Sequence, residues 1–321
     1  MTKNKHWANI EERGSLLGMK LLFAIYRLLG RRILLIFLFP VVLYIYATGK
    51  AARTASRDFL TQVNYYNGNK KSASWLAGLK HFLAFADSAF DKIDAWLGNI
   101  TTADIIYNQD GVMQSIIENK KGAIFIGSHL GNIEVCRALS QGRYHIPINV
   151  LVFTENAIKF NEVLKKAADN VSVNLIQLSN IGPELAISLQ EKVNQGEIIV
   201  IVGDRTSVSV AGRVVYSPFI GKDAPFSQGP FILAALLKCP IYWLFCLKEG
   251  KKFRVIFEHV SDELALPRKQ RTQVLESFIN LYADRLSFYA AKYPQQWFNF
   301  YDFWQQDQAV SRKESNGESK Q

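Results

Sequence analysis

The stretch "AIFIGSHLGNIEVCRAL", residues 123–139, decides the architecture. Its first five residues carry no charge and suit a strand buried on both faces. Ser128, His129, Leu130, Gly131 and Asn132 follow as a tight, mainly polar turn, and an amphipathic helix is predicted over 131–140. A strand feeding a helix is half of a βα unit, and the same texture continues on both sides. Strand candidates fall at 103–107, 122–127, 147–153, 172–178 and 197–202, with helical stretches at 110–119, 131–140, 155–169 and 182–195 between them. A hydrophobic helix at 227–238, the strand pair "PIYWLFCLK" and "KKFRVIFEHV", and a long amphipathic helix at about 267–291 complete the pattern. Such alternation implies an α/β fold with a mainly parallel central sheet flanked by helices.

Ligands in such folds bind at the carboxyl ends of strands, and His129 sits at one. Glu134 follows five residues later. That spacing is uninformative by itself, because His6 and Glu11 in "HWANIE" repeat it with no strand before them. Position has to decide. Ser128 and His129 point to opposite faces of a strand, so they do not form a nucleophile pair, and G-x-S-x-G is absent. Glu134 in the first turn of the predicted helix would be favoured in its ionised form. It could accept one ring N–H and leave the other nitrogen of His129 as a general base. In the blander alternative, the two residues merely close the turn.

A second rim candidate lies in "GEIIVIVGDRTSVSVAGRVVYSPFIGKDAPFSQGPFILAALLKCPI", residues 196–241. A strong strand runs into Gly203, Asp204 and Arg205, whose end can open on the same rim as His129. Arg205 could hold an anionic group or an oxyanion, and Asp204 could be a cap or could orient that arginine. A surface ion pair explains the two equally well. The glycines and prolines from Gly212 to Pro230 read as a long loop, a feature that often covers a site.

The 321 residues allow a substantial core, and 38 Lys plus Arg against 28 Asp plus Glu give a net charge of +10. A surplus of that size points to anionic company: nucleic acid, a phospholipid surface or an acidic protein. Cys136, Cys239 and Cys246 form no C-x-x-C pair or metal-like set and read as small core residues, so nothing suggests a disulfide framework and a reducing cytosolic face is the default. The N-terminal third is different. In "SLLGMKLLFAIYRLLGRR" (15–32), Lys20, Arg27 and Arg31 share one helical face. "ILLIFLFPVVLYIYAT" (33–48) then runs sixteen residues without a charge, short of the ~20 of a spanning helix, with Pro40 expected to kink it. The run starts too late and lacks the exit of a cleaved signal peptide. Arg31, Arg32, Lys50, Arg53 and Arg57 flank it, and as snorkelling side chains they favour a membrane-associated segment over a soluble hairpin. In "SASWLAGLKHFLAFADSAFDKIDAWL", the stripe from Trp75 to Leu97 reads as a packing face, with His81 structural. The expected organisation is a membrane-associated segment at 1–49, a domain at 50–304 with a helical lead-in at 50–98, and a disordered polar tail at 305–321.

Taken together, "FIGSHLGNIE", "GDR", "FIGKDAPFSQGPFILAALLKCPI", "YPQQWFNFYDFW" and the apolar N-terminal run resemble the bacterial lysophospholipid acyltransferase superfamily. The resemblance is to the branch of the lipid A late acyltransferases. "HWANIEERGS" looks more like a subgroup of predicted acyltransferases that accompanies aryl polyene-type lipid pathways. The resemblance implies transfer of an acyl group from an acyl carrier protein thioester to a hydroxyl or amine of a lipid or glycolipid, at the cytoplasmic face of the inner membrane. It implies His129 as base and Glu134 as its partner, with Asp204, Arg205 and the backbone N–H groups near Gly131 and Asn132 serving substrate and oxyanion. No metal or organic cofactor is implied. Two rival classes remain at this point: a basic membrane- or nucleic-acid-binding module, and a hydrolase using the same site. No stretch interleaves Lys or Arg with aromatics as nucleic-acid binding would ask.

Overall fold

The computed structural model describes residues 16–108, 111–136, 146–152, 173–177, 183–205 and 214–304. His6, Glu11, the helix expected at 155–169 and the tail from 305 lie outside the described residues.

Seven strands form the central sheet: β1 (Ile105–Tyr107), β2 (Ala123–Gly127), β3 (Ile148–Val152), β4 (Val173–Gln177), β5 (Ile198–Val202), β8 (Ile241–Glu249) and β9 (Lys252–Ser261). Their order is β1-β9-β8-β2-β5-β3-β4. Every pairing is parallel except that of β8 with β9, which are joined by a two-residue turn. The mainly parallel α/β fold expected from the sequence is therefore present, and each strand lies within a residue or two of its expected place.

The period of two distributes the apolar side chains to both faces. Ile124 and Ile126 of β2, with Ile199 and Ile201 of β5, face one core. That core is closed by α5 (Pro183–Asn194), α6 (Gly229–Leu237) and α7 (Arg271–Lys292). Ala123, Phe125, Ile198 and Val200 face the other, against Val112, Met113 and Ile116 of α4 (Gly111–Asn119). Double-sided burial explains why these strands read as continuous apolar runs.

The sequence 214–227 is a two-stranded hairpin, β6 (Val214–Phe219) and β7 (Lys222–Ser227), where a long loop was expected. Its turn is Ile220-Gly221, both at positive φ, the conformation that joins two strands without splaying them. Pro218 and Pro225 had argued against strands, but a two-stranded ribbon leaves edges where a missing N–H costs nothing. The hairpin is held by Gln62, which donates to the Ile220 carbonyl at 2.8 Å, and by Ser287, which accepts from the Ile220 N–H at 3.1 Å.

The N-terminal helices are α1 (Leu16–Thr48), α2 (Lys50–Tyr66) and α3 (Trp75–Trp96). The non-helical residue within α1 is Gly30, at φ +72°, and Pro40 lies inside the helix. Ile33–Thr48 meets α2 at a 90° bend, and no single helix among the described residues is long and apolar enough to cross a membrane. Tyr26, Leu34, Val42 and Tyr46 of α1 pack on Leu79, Phe82, Phe90 and Ile93, the stripe of α3. Three of the flanking arginines have partners within the protein. Arg31 pairs with Asp87, Asp91 and Asp94 of α3, Arg53 donates to the carbonyls of Tyr46 and Ala47 that end α1, and Arg57 donates to the Ala73 carbonyl. The three guanidinium groups are thus held by aspartates of α3 and by backbone carbonyls.

Candidate active site

Strands β2 and β5 lie side by side with Gly127 opposite Val202. The ladder continues one step, the Gly203 N–H donating to the Gly127 carbonyl at 2.9 Å. Two residues beyond each strand, His129 and Asp204 therefore come level. The approach requires Gly203, since a Cβ there would sit 2.9 Å from both the Ile126 side chain and the Tyr282 ring. Tyr282, buried on α7, donates its hydroxyl to the Gly127 carbonyl at 2.7 Å and fixes the end of β2 from below.

Asp204 is fully buried and grips His129 twice. Its Oδ1 lies 2.7 Å from His129 Nδ1, and its Oδ2 accepts the His129 backbone N–H at 2.8 Å. The Trp297 indole N–H donates to the same Oδ2 at 3.3 Å. Burial pushes the Asp204 carboxyl up, but the His129 ring, the two donors from His129 and the Arg205 charge outweigh it and hold the carboxyl below its ordinary value. An ionised acceptor on Nδ1 places the ring proton there and leaves Nε2 with its lone pair. Burial first, then the Arg205 and Lys92 charges, lower the His129 pKa despite the pull of Asp204, so the imidazole is neutral near pH 7. Its side chain is still 26% exposed, enough to meet a substrate proton.

The orienting carboxylate is thus Asp204, where the sequence suggested Glu134. Residues Ile133–Cys136 form a four-residue 3₁₀ turn where the start of a helix over 131–140 was expected, and residues 137–140 lie outside the described residues. Glu134 there pairs with Lys92 of α3 at 3.2 Å. Asp204, which the sequence offered as a cap or as the holder of Arg205, meets His129 and Trp297.

The backbone at Gly131 and Asn132 also differs from expectation. Gly131 N–H donates to the Gln296 carbonyl at 2.7 Å, and Asn132 N–H donates to the Cys246 carbonyl at 2.9 Å. Both donors are engaged inside the protein and do not form an oxyanion hole. Gly131 is there for close approach: at φ +77°, a Cβ would lie 1.9 Å from the Cys246 carbonyl oxygen. The Asn132 side chain ties the turn to α3 through the Ser88 carbonyl at 3.1 Å. Gly131 and Asn132 do line a cavity of about 320 Å³, together with Asp87, Asp91, Lys248 and Phe298. Lys248 reaches Asp87 at 2.6 Å and Asp91 at 2.8 Å on its wall.

The segment after α7 braces the whole turn. Phe298 N–H donates to the His129 carbonyl at 3.1 Å, and Leu130 bridges to Trp297. Trp297 was not singled out from the sequence, although "QQWFNF" was part of the family resemblance. Lys92 was missed as well, being an ordinary lysine on an amphipathic helix. Cys136, Cys239 and Cys246 are buried and free, as small core residues.

Neither protein-family models nor curated proteins show a match to this chain.

Proposed function

We propose that the protein is a membrane-associated acyltransferase that moves a fatty acyl group from an acyl carrier protein thioester to a hydroxyl or amine of a lipid or glycolipid. The observation that carries this reading is the His129–Asp204 pair at the shared rim of β2 and β5, with Nδ1 tied down and Nε2 left basic. An acyl thioester is already activated and its thiol leaves readily, so the chemistry asks for a base more than for an acid. His129 Nε2 takes the proton of the acceptor as it attacks the thioester carbonyl, and Asp204 stabilises the imidazolium that forms. With the Gly131 and Asn132 N–H groups engaged elsewhere, oxyanion charge falls to the Arg205 guanidinium, whose field already reaches the His129 ring. The sequence resemblance supplies the donor and acceptor classes.

Membrane association has its own support. Leu28, Ile36, Phe37 and Tyr44 of α1 are 83%, 72%, 63% and 66% exposed, an amount of exposed apolar side chain suited to contact with a lipid surface. The reading places this surface at the cytoplasmic leaflet of a bacterial inner membrane. The +10 charge suits an acidic carrier protein, whose apparent affinity should fall as salt rises.

The deciding experiment is acyl transfer from a labelled carrier thioester to lipid, with thermal melts alongside. His129→Ala should lose about 10²–10⁴-fold in turnover while staying folded. His6→Ala, with the same bare H-x-x-x-x-E spacing, should leave turnover unchanged. Near-wild-type transfer by folded His129→Ala would overturn the assignment, and thioester release without lipid acceptor would make the protein a hydrolase.

A further inference from the structure

The carboxylate that orients His129 is itself held from behind by a buried chain of polar groups running into the N-terminal helices. His81 of α3 is fully buried, with Nε2 2.9 Å from the Trp297 carbonyl and Nδ1 2.9 Å from the Ser56 hydroxyl of α2. A carbonyl only accepts, so Nε2 carries the proton and the Ser56 O–H donates to Nδ1. Burial pushes His81 down to about 4, so it keeps this single neutral tautomer at physiological pH. The carbonyl of Trp297 is thus clamped from α2 and α3, while its indole N–H reaches Asp204 Oδ2 at 3.3 Å. Phe59, Phe219 and Phe303 pack around the indole with ring centroids at 4.5, 4.8 and 5.0 Å, which leaves the ring no other place to turn.

We propose that Trp297 is a positioning residue for the His129 base, its indole N–H setting the Asp204 carboxylate and the buried Ser56–His81 pair setting Trp297. A tryptophan in such an apolar nest gives packing whatever its N–H does. The geometry adds an unneeded specificity unless the N–H matters: Asp204 Oδ2 already accepts the His129 backbone N–H, and the indole supplies its second donor. Two donors on Oδ2 draw electron density away from Oδ1, and so moderate how tightly Oδ1 holds the His129 ring proton. The charged and titratable groups facing the pair are Arg205 beyond β5, Lys92 of α3 with its partner Glu134 on the 3₁₀ turn, and Tyr282 of α7. Removing the indole N–H leaves all four in place, so a change in titration reports the lost donor. With one donor fewer, the Asp204 carboxylate becomes more basic, its hold on the imidazolium strengthens, and the His129 pKa rises.

This inference rests on the reading of His129 as general base, and the test separates the two. The pH dependence of kcat for carrier-to-lipid transfer is measured for wild type, His129→Ala and Trp297→Phe. A second Trp297 variant carries 3-benzothienylalanine, which keeps the indole shape and replaces N–H by sulfur. Both Trp297 variants should lose roughly tenfold in kcat, about 1.4 kcal/mol, and their acid limb should move to higher pH with KM nearly unchanged. If Trp297→Phe does not fold, the sulfur isostere decides. A lower melting temperature with an unmoved acid limb would overturn the inference and make Trp297 a packing residue. An active, folded His129→Ala would overturn the base itself. His81→Gln, which can still donate to the Trp297 carbonyl, should keep an acid limb close to wild type, whereas His81→Leu should reproduce the shift. Identical wild-type limbs in both would remove His81 from the chain.

Discussion

Asp204→Asn separates the two carboxylates that compete for the role of partner to His129. The change is nearly isosteric, and each oxygen of Asp204 has a donor facing it: the ring Nδ1–H on Oδ1, the His129 backbone N–H and the Trp297 indole on Oδ2. An amide has only one acceptor atom. If its oxygen takes the Oδ2 place and keeps two donors, its NH₂ faces Nδ1, so the ring proton must move to Nε2. The base is then protonated on the atom that should receive the acceptor's proton. Loss of a correctly oriented base costs about 10²–10⁴-fold in turnover, or about 3–5 kcal/mol of transition-state stabilisation. Glu134→Gln breaks a pair with Lys92 whose side chains are 13% and 35% exposed. Such a pair contributes on the order of 1 kcal/mol at most, so turnover should fall by less than about tenfold. The assay is single-turnover acyl transfer from a labelled carrier thioester, with melts to show that both variants fold. A folded Asp204→Asn with near-wild-type turnover, or a Glu134→Gln loss as large as that of Asp204→Asn, would refute the assignment of Asp204 as the orienting group.

Gly203→Ala should lower stability by about 1–3 kcal/mol in denaturant melts, because its Cβ would sit 2.9 Å from Ile126 and Tyr282; an unchanged midpoint would mean that β2 and β5 can part without cost. Burial holds His81 below its ordinary 6.5, at about 4. The unfolded chain therefore binds one more proton between those pH values, and stability is full above about 6.5 and falls by about 3 kcal/mol on acidification to about 4. Melts from pH 7 to pH 4 should show this slope in wild type and a shallower one in His81→Gln. Ile36→Glu with Phe37→Glu, both on the exposed face of α1, should cut binding to anionic vesicles without changing the melting temperature; undiminished binding would place the lipid contact elsewhere.

The fold was legible in the sequence for a local reason. Strands buried on both faces must be apolar at every position, and β2, β5 and the first seven residues of β8 (241–247) show that as uncharged runs. The hairpin at 214–227 was hidden because its prolines and glycines, read one by one, describe a loop. Its strands exist by pairing with one another, which no single window displays. The partners of the arginines around α1 were hidden for a related reason. Charge beside an apolar run suggests a lipid headgroup, yet Asp87, Asp91 and Asp94, sixty residues away along the chain, are what Arg31 meets.

The site was half legible, and the missing half is long-range. His129 stood out because a histidine at a strand end has few structural uses. Its partner was sought nearby, at Glu134, since local spacing is what a sequence shows. The actual partner lies 75 residues on, brought level by the register of β2 against β5, and that adjacency depends on strand order. The same holds for the N–H groups of Gly131 and Asn132, which the sequence offers as donors and which Gln296 and Cys246 consume. Among the described residues, the groups that fix His129 come from other elements: Asp204 after β5 on its ring and N–H, backed by Trp297, and Phe298 after α7 on its carbonyl. A chain that kept H-x-x-x-x-E intact but lost Asp204 would retain the motif and lose the group that orients the base. Integrity of the motif and integrity of the site are separate properties here, because the short segment that carries the histidine is shaped by packing from both ends of the chain.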